Sequence, residues 1–155
     1  MIKLYLDVDG VINAWHADTE WPTLVVGDAH GYNVKWPPEM VAELKSLDLE
    51  LIWATTWRQH APEQLAPLIG YGENVRYLTE RPKLSEYGSI GGKYRGVVND
   101  QKWEPSPFVW IDDEHHRTTV DWAKANGGLA IQSHPDLGIT PEEMERIKAY
   151  VEANS

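Results

Sequence analysis

The stretch Lys3-Leu4-Tyr5-Leu6-Asp7-Val8-Asp9-Gly10-Val11-Ile12-Asn13 decides how the chain reads. It is a short apolar strand that ends in two carboxylates one residue apart, followed by glycine. Parallel sheets bind their ligands at the carboxyl ends of their strands, so acids placed there mark a candidate site. Asp-Gly is also a common turn dipeptide. A turn accounts for Asp9 and Gly10, but not for Asp7 at the tip of a buried strand.

Outward from this strand, apolar runs alternate with amphipathic stretches, which argues for an α/β fold with a parallel sheet. Residues 14–36 are too long for a plain loop. Within them, Thr23–Val26 and Asn33–Trp36 flank a glycine-containing turn at 27–31, which predicts a β-hairpin flap. Pro37-Pro38 opens a helix to about Leu47, with Met40, Val41, Leu44 and Leu47 as its apolar stripe. A second strand, 50–54, runs into Thr55-Thr56-Trp57-Arg58. The helix after it carries Leu65, Leu68 and Ile69 on one face and stops at Gly70. A short third strand is expected at 75–78, loop at 79–92, and a helix from Lys93 to Asp100. Phe108–Ile111 is a fourth strand leading into Asp112-Asp113-Glu114. A helix at 116–126, a strand at 129–131 and a capping box at Thr140–Glu143 that opens a terminal helix complete the pattern.

Composition narrows the classes. The 155 residues suit one domain with a real core, with residues 14–37 as an insertion that forms a flap or minimal cap. No apolar run approaches the roughly 18 residues that span a bilayer. The N-terminus goes straight into strand character and does not read as a signal peptide. There are no cysteines, which excludes disulfides and thiolate metal sites and fits a cytoplasmic protein. The formal charge of −10 disfavours stable, non-specific nucleic-acid binding. It leaves room for an enzyme that meets phosphate through a cation. Trp15, His16, Trp21 and Trp36 fall in or near the flap, where they either stack on a flat group or pack the flap's own small core.

Three strands thus end in polar residues: Asp7 and Asp9, Thr55, then Asp112 and Asp113. On one sheet edge, four carboxylates and a hydroxyl converge. Such acids cannot all stay ionised without compensation, and a hard cation with oxygen ligands, Mg²⁺, fits the set. Lys93, at a predicted helix start, adds a positive charge on the same side. Asp7-x-Asp9-Gly10-Val11, Thr55, Lys93 and Asp112-Asp113, in that order and at those strand ends, resemble the four motifs of the haloacid dehalogenase-like (HAD) superfamily of phosphotransferases. The resemblance covers the alternating core from residue 1 to 132. It implies a three-layer Rossmann-like fold with a mainly parallel central sheet, and a Mg²⁺-dependent phosphatase acting through an aspartyl-phosphate.

In that reading Asp7 is the nucleophile and Asp9 the general acid and base. Asp112 is the closer metal ligand and Asp113 the supporting one. Asp7 and the Asp9 backbone carbonyl complete the ligand set. Thr55 positions a phosphoryl oxygen, with Thr56 as its rival, and Lys93 competes with Lys83. Asn13, Thr56 and Arg58 are candidate substrate contacts. His115-His116 does not make a zinc site with the acids, because adjacent helical residues face apart. The short insertion implies an open site suited to large phosphates, such as a nucleotide or nucleic-acid terminal phosphate. Homo-oligomerisation that closes the site over a small substrate is the alternative. A phospho-receiver signalling domain also combines Asp, Thr and Lys on a parallel sheet. However, its acid pair follows strand one and its phosphoacceptor comes later, whereas here Asp-x-Asp comes first. A non-catalytic HAD-fold binding protein is the third class, and no motif residue is missing in its favour.

Overall fold

The computed structural model describes residues 1–15, 18–79 and 91–155. Five parallel strands form the central sheet in the order β5-β4-β1-β6-β7. They are β1 (Ile2–Leu6), β4 (Leu49–Trp53), β5 (Arg76–Tyr77), β6 (Phe108–Asp112) and β7 (Leu129–Gln132). A separate antiparallel hairpin pairs β2 (Val25–Ala29) with β3 (Tyr32–Trp36). The helices are α1 (Pro38–Ser46), α2 (Ala66–Ile69), α3 (Gly91–Trp103), α4 (Arg117–Ala125) and α5 (Pro141–Ala153). No helix among the described residues is long and apolar enough to cross a membrane.

Side chains along the strands alternate between two faces, as a period of two requires. Leu4, Leu6, Leu51, Trp53, Val109 and Ile111 pack with Met40, Leu44, Leu65, Ile69, Met144 and Ile147, so α1, α2 and α5 cover one face. Tyr5, Ile52, Phe108 and Trp110 pack with Val97 of α3 and Ala123 of α4 on the other. The result is the three-layer α/β, Rossmann-like fold anticipated from the strand pattern. Truncating one of these fully buried side chains, such as Leu6 at 0% exposure, is expected to cost about 2–5 kcal/mol.

Several boundaries differ from the sequence reading. The hairpin turn is tighter than 27–31. Ala29 pairs with Tyr32, leaving a two-residue loop of His30 and Gly31, both at positive φ (51° and 78°), the conformation that matches strand twist in tight hairpins. The segment after β4 begins as a π-helical turn, Ala61–Leu65, before α2. The third strand shrinks to Arg76–Tyr77. α3 starts two residues before Lys93 and runs past Asp100 to Trp103. α4 starts at Arg117, so His115 and His116 precede the helix rather than lie on it. The capping box forms as expected: the Thr140 hydroxyl accepts from the Glu143 N–H, and the Glu143 carboxylate accepts from the Thr140 N–H.

The hairpin is docked on the body. Ala29, Val34 and Trp36 belong to the main core, and a Cβ at Gly27 would meet the Leu68 side chain at 2.8 Å. Trp21 and Trp36 are 8% and 6% exposed, so of the two roles considered for them they take packing. Trp15 is exposed, and His16 lies outside the described residues.

Candidate active site

β1 is the middle strand, with β4 on one side and β6 on the other. Their carboxyl ends therefore deliver Asp7, Thr55 and Asp112 side by side. The chain runs from β1 out to β4 and β5, then returns past β1 to β6 and β7. Strand order reverses at β1, and that reversal opens a crevice at the carboxyl edge. α3 makes the return crossing. Its first turn brings Lys93 to this edge, and its later turns carry Asp100 and Gln101 to the opposite end of β1.

Lys93 Nζ donates to Asp7 Oδ2 and Asp112 Oδ2, both at 3.0 Å. All three residues are at most 9% exposed. Each acid's other oxygen is held by backbone: Asp7 Oδ1 accepts from the Val8 N–H at 2.8 Å, and Asp112 Oδ1 from the Glu114 N–H at 2.9 Å. Asp113 joins them. One carboxylate oxygen from each of Asp7, Asp112 and Asp113 lies within 4.8 Å of the others. Gly10 makes this approach possible, because it sits at φ 75° and a Cβ there would lie 2.3 Å from Asp113 Oδ2.

Among the described residues, three clustered acids face the one ammonium of Lys93, and their titration reflects the deficit. Burial, then Asp112, drives Asp7 up, with Lys93 opposing. Burial drives Asp112 up, again against Lys93. Asp113 is pushed up to about 6 by burial, then by Asp7 and Glu114. Burial disfavours the Lys93 ammonium, but Asp7 and Asp112 outweigh it and hold Lys93 above its ordinary value. The lysine stays charged, and the acids bear the uncompensated repulsion. Oxygen-only donors with excess negative charge suit a hard divalent cation such as Mg²⁺.

The loop after β1 is rigidly held. The Val8 carbonyl accepts the N–H groups of Val11, Ile12 and Asn13 at 3.1, 2.9 and 2.9 Å. Ser133 Oγ donates to the Gly10 carbonyl at 2.6 Å, and the Ile139 N–H to the Val11 carbonyl at 3.0 Å. Asp9 follows a different course from Asp7. Its Oδ1 accepts from Asn13 Nδ2 at 3.0 Å and its Oδ2 from the Trp57 indole N–H at 3.0 Å. Its carboxylate is not one of the three that cluster. Asn13 Oδ1 also accepts the Lys35 N–H at 2.9 Å, so both ends of this side chain are engaged within the protein.

Thr55 is 5% exposed at the tip of β4, and its Oγ1 accepts the Trp57 N–H at 3.3 Å. Thr56 is exposed, and Arg58 is half-buried at φ 52°. Lys83 lies outside the described residues. His115 is buried away from the acids, with Nε2 at 3.2 Å from the Trp110 carbonyl and Nδ1 at 3.0 Å from Thr119 Oγ1. The sequence reading did not single out Trp57. Its only signal was an indole two residues past a strand-end threonine, a pattern shared with ordinary core tryptophans.

The fold is that of the HAD class of phosphatase-type hydrolases. A family model described as the HAD domain in Swiss Army Knife RNA repair proteins matches residues 3–144, and the chain belongs to that family. Searches of curated proteins and of solved structures each returned no significant match.

Proposed function

We propose that the protein is a phosphomonoester hydrolase that forms an aspartyl-phosphate on Asp7 and acts on the terminal phosphate of a nucleotide or nucleic acid, an RNA end foremost. The observation that carries this reading is Lys93 bridging Asp7 and Asp112 at 3.0 Å beside Asp113. Asp7, Asp112, Asp113 and the Asp9 carbonyl would hold Mg²⁺, which when bound neutralises phosphoryl charge and relieves the acids' repulsion.

In the first step an Asp7 carboxylate oxygen attacks phosphorus. The bond from phosphorus to the ester oxygen breaks, and Asp9 gives its proton to the leaving alkoxide. In the second step Asp9 takes a proton from water as the water oxygen attacks phosphorus. The bond to Asp7 breaks, releasing phosphate and restoring Asp9 to its protonated form. Both Asp9 oxygens accept hydrogen bonds from obligate donors, Asn13 Nδ2 and Trp57 Nε1. That geometry fits the ionised Asp9 of the second step. Thr55 and the Lys93 ammonium orient and neutralise the transferring oxygens. The substrate class is supported by the family's description in RNA repair proteins and by the short insertion, which in this family implies an open site. The −10 charge limits the contact to a chain end rather than a long duplex.

A panel of small esters, mononucleotides and oligonucleotides phosphorylated at the 5′ or 3′ end tests the reading. Phosphate release with Mg²⁺ that disappears in EDTA and in Asp7→Asn is expected. Full activity in EDTA, or in Asp7→Asn, would overturn it.

A further inference from the structure

The rings beside Asp9 form a cluster that the chemistry above does not use. Trp57, whose indole N–H holds Asp9, has its ring centroid 5.6 Å from that of Tyr32 and 6.2 Å from that of His30. His30 stacks on His60 with centroids 3.6 Å apart and planes at 16°. Tyr32 and His30 come from the tip of the hairpin, while Trp57 and His60 come from the segment after β4. Trp57 is buried, but Tyr32 is 60% exposed and His30 is exposed too. His30 also occupies a left-handed turn position (φ 51°), where Asn or Gly would be the usual residue. His30 and Tyr32 thus present ring faces to solvent beside the buried Trp57, a surface open to a flat ligand.

Resting on the phosphatase reading, we infer that Tyr32, with the His30–His60 stack beside it, is the platform on which the base of the terminal nucleotide stacks while its phosphate reaches Asp7. The path from Asp9 to Tyr32 is one hydrogen bond of 3.0 Å and one ring-to-ring step of 5.6 Å. Aromatic stacking accepts any base, because each has a π-face. The platform therefore selects for a nucleobase without selecting its identity. Of the flap aromatics named from the sequence, Trp21 and Trp36 are spent in the core and do not contribute to it.

The test compares kcat/KM on base-bearing and base-free substrates: a nucleoside monophosphate against ribose phosphate, and a phosphorylated oligonucleotide against the same oligonucleotide with an abasic terminal residue. The first pair reports free nucleotides, the second nucleic-acid ends. Wild type should prefer the base-bearing member of at least one pair. Tyr32→Ala should shrink that preference about fivefold or more, and Tyr32→Phe should keep it. No preference in the wild type, or one left intact by Tyr32→Ala, would overturn the platform. Binding of the same ligands to Asp7→Asn, followed by tryptophan fluorescence, separates the two claims. A base preference in binding without hydrolysis by wild type would sink the phosphatase reading and leave the platform standing. Hydrolysis without base preference would do the reverse.

Discussion

One helix, α3, carries two buried charge clusters to opposite ends of β1, and they are built on opposite principles. At the amino end of β1, Lys3 is 1% exposed and donates to Asp100 Oδ2 at 3.0 Å and to the Glu104 carbonyl at 2.8 Å. Arg76 donates to Asp100 Oδ1 at 2.9 Å, and Tyr5 also donates to Asp100. Burial works against the Asp100 carboxylate, but hydrogen bonds from Tyr5, Lys3 and Arg76 outweigh it and hold Asp100 below its ordinary value. At the carboxyl end, Lys93 meets Asp7 and Asp112, with Asp113 beside them, and all three acids are pushed up. Two cations and a phenol converging on one carboxylate make a clamp. An excess of acids makes a site that is incomplete without a cation or a proton.

The sharpest way to break this contrast is to neutralise one acid at each end. Asp7→Asn is expected to lower phosphate release by about 10³-fold or more. It should also raise the Tm of the metal-free protein, because it removes a buried charge that has too little compensation. Asp100→Ala is expected to behave oppositely. It leaves the buried Lys3 ammonium with only the exposed Glu104 carboxylate, 3.6 Å away, at a cost of about 3–5 kcal/mol in denaturant unfolding, while kcat of the folded protein changes only severalfold. If Asp7→Asn destabilised and Asp100→Ala did not, the division into clamp and site would fail.

Trp57→Phe tests whether Asp9 is held for chemistry. An aromatic ring is kept at this buried position, while the indole N–H donor to the Asp9 carboxylate is lost together with part of the ring volume. Steady-state kinetics should show kcat down roughly tenfold, the worth of one hydrogen bond to a charged group, with KM little changed. An unchanged kcat would make the indole a packing residue alone.

The smallest effect is the pH dependence of stability. A carboxyl group raised by folding binds its proton more tightly in the native state. Its contribution to stability is full below the unfolded value near ~4 and is lost as pH rises through the folded value, about 6 for Asp113. Asp7 and Asp112 act in the same direction. The Tm of metal-free protein should therefore fall across this window, apart from contributions elsewhere. Mg²⁺ should stabilise more at the upper end than at the lower, since it competes with protons. Asp113→Asn should flatten both trends; slopes identical to wild type would contradict the assignment.

The strand-end positions of Asp7, Thr55 and Asp112, and of Lys93 at a helix start, were legible in the sequence. Each follows from local signals: an apolar run, its terminus, and the order of strands and helices. What was not legible depends on contacts across the chain. Nothing periodic joins Tyr32 to Trp57, or Asn13 to both Asp9 and Lys35, because a hairpin's docking depends on shape rather than pattern. The Lys3–Asp100 pair was hidden for a similar reason. A lysine in an apolar strand reads as an edge feature until the helix above it supplies an acid. The turn read at 27–31 contains the observed His30-Gly31 loop but is too wide, because Gly27 lies in β2 and packs against Leu68.

The central claim is that Asp7 becomes phosphorylated during turnover. Quenching the protein with borohydride while it hydrolyses a phosphate ester in Mg²⁺, then mapping its peptides by mass spectrometry, tests this directly. Acyl phosphates are reduced where ordinary carboxylates are not, so the account predicts homoserine in place of Asp7 and nowhere else. Active protein with Asp7 unreduced, or reduction at another carboxylate, would contradict it.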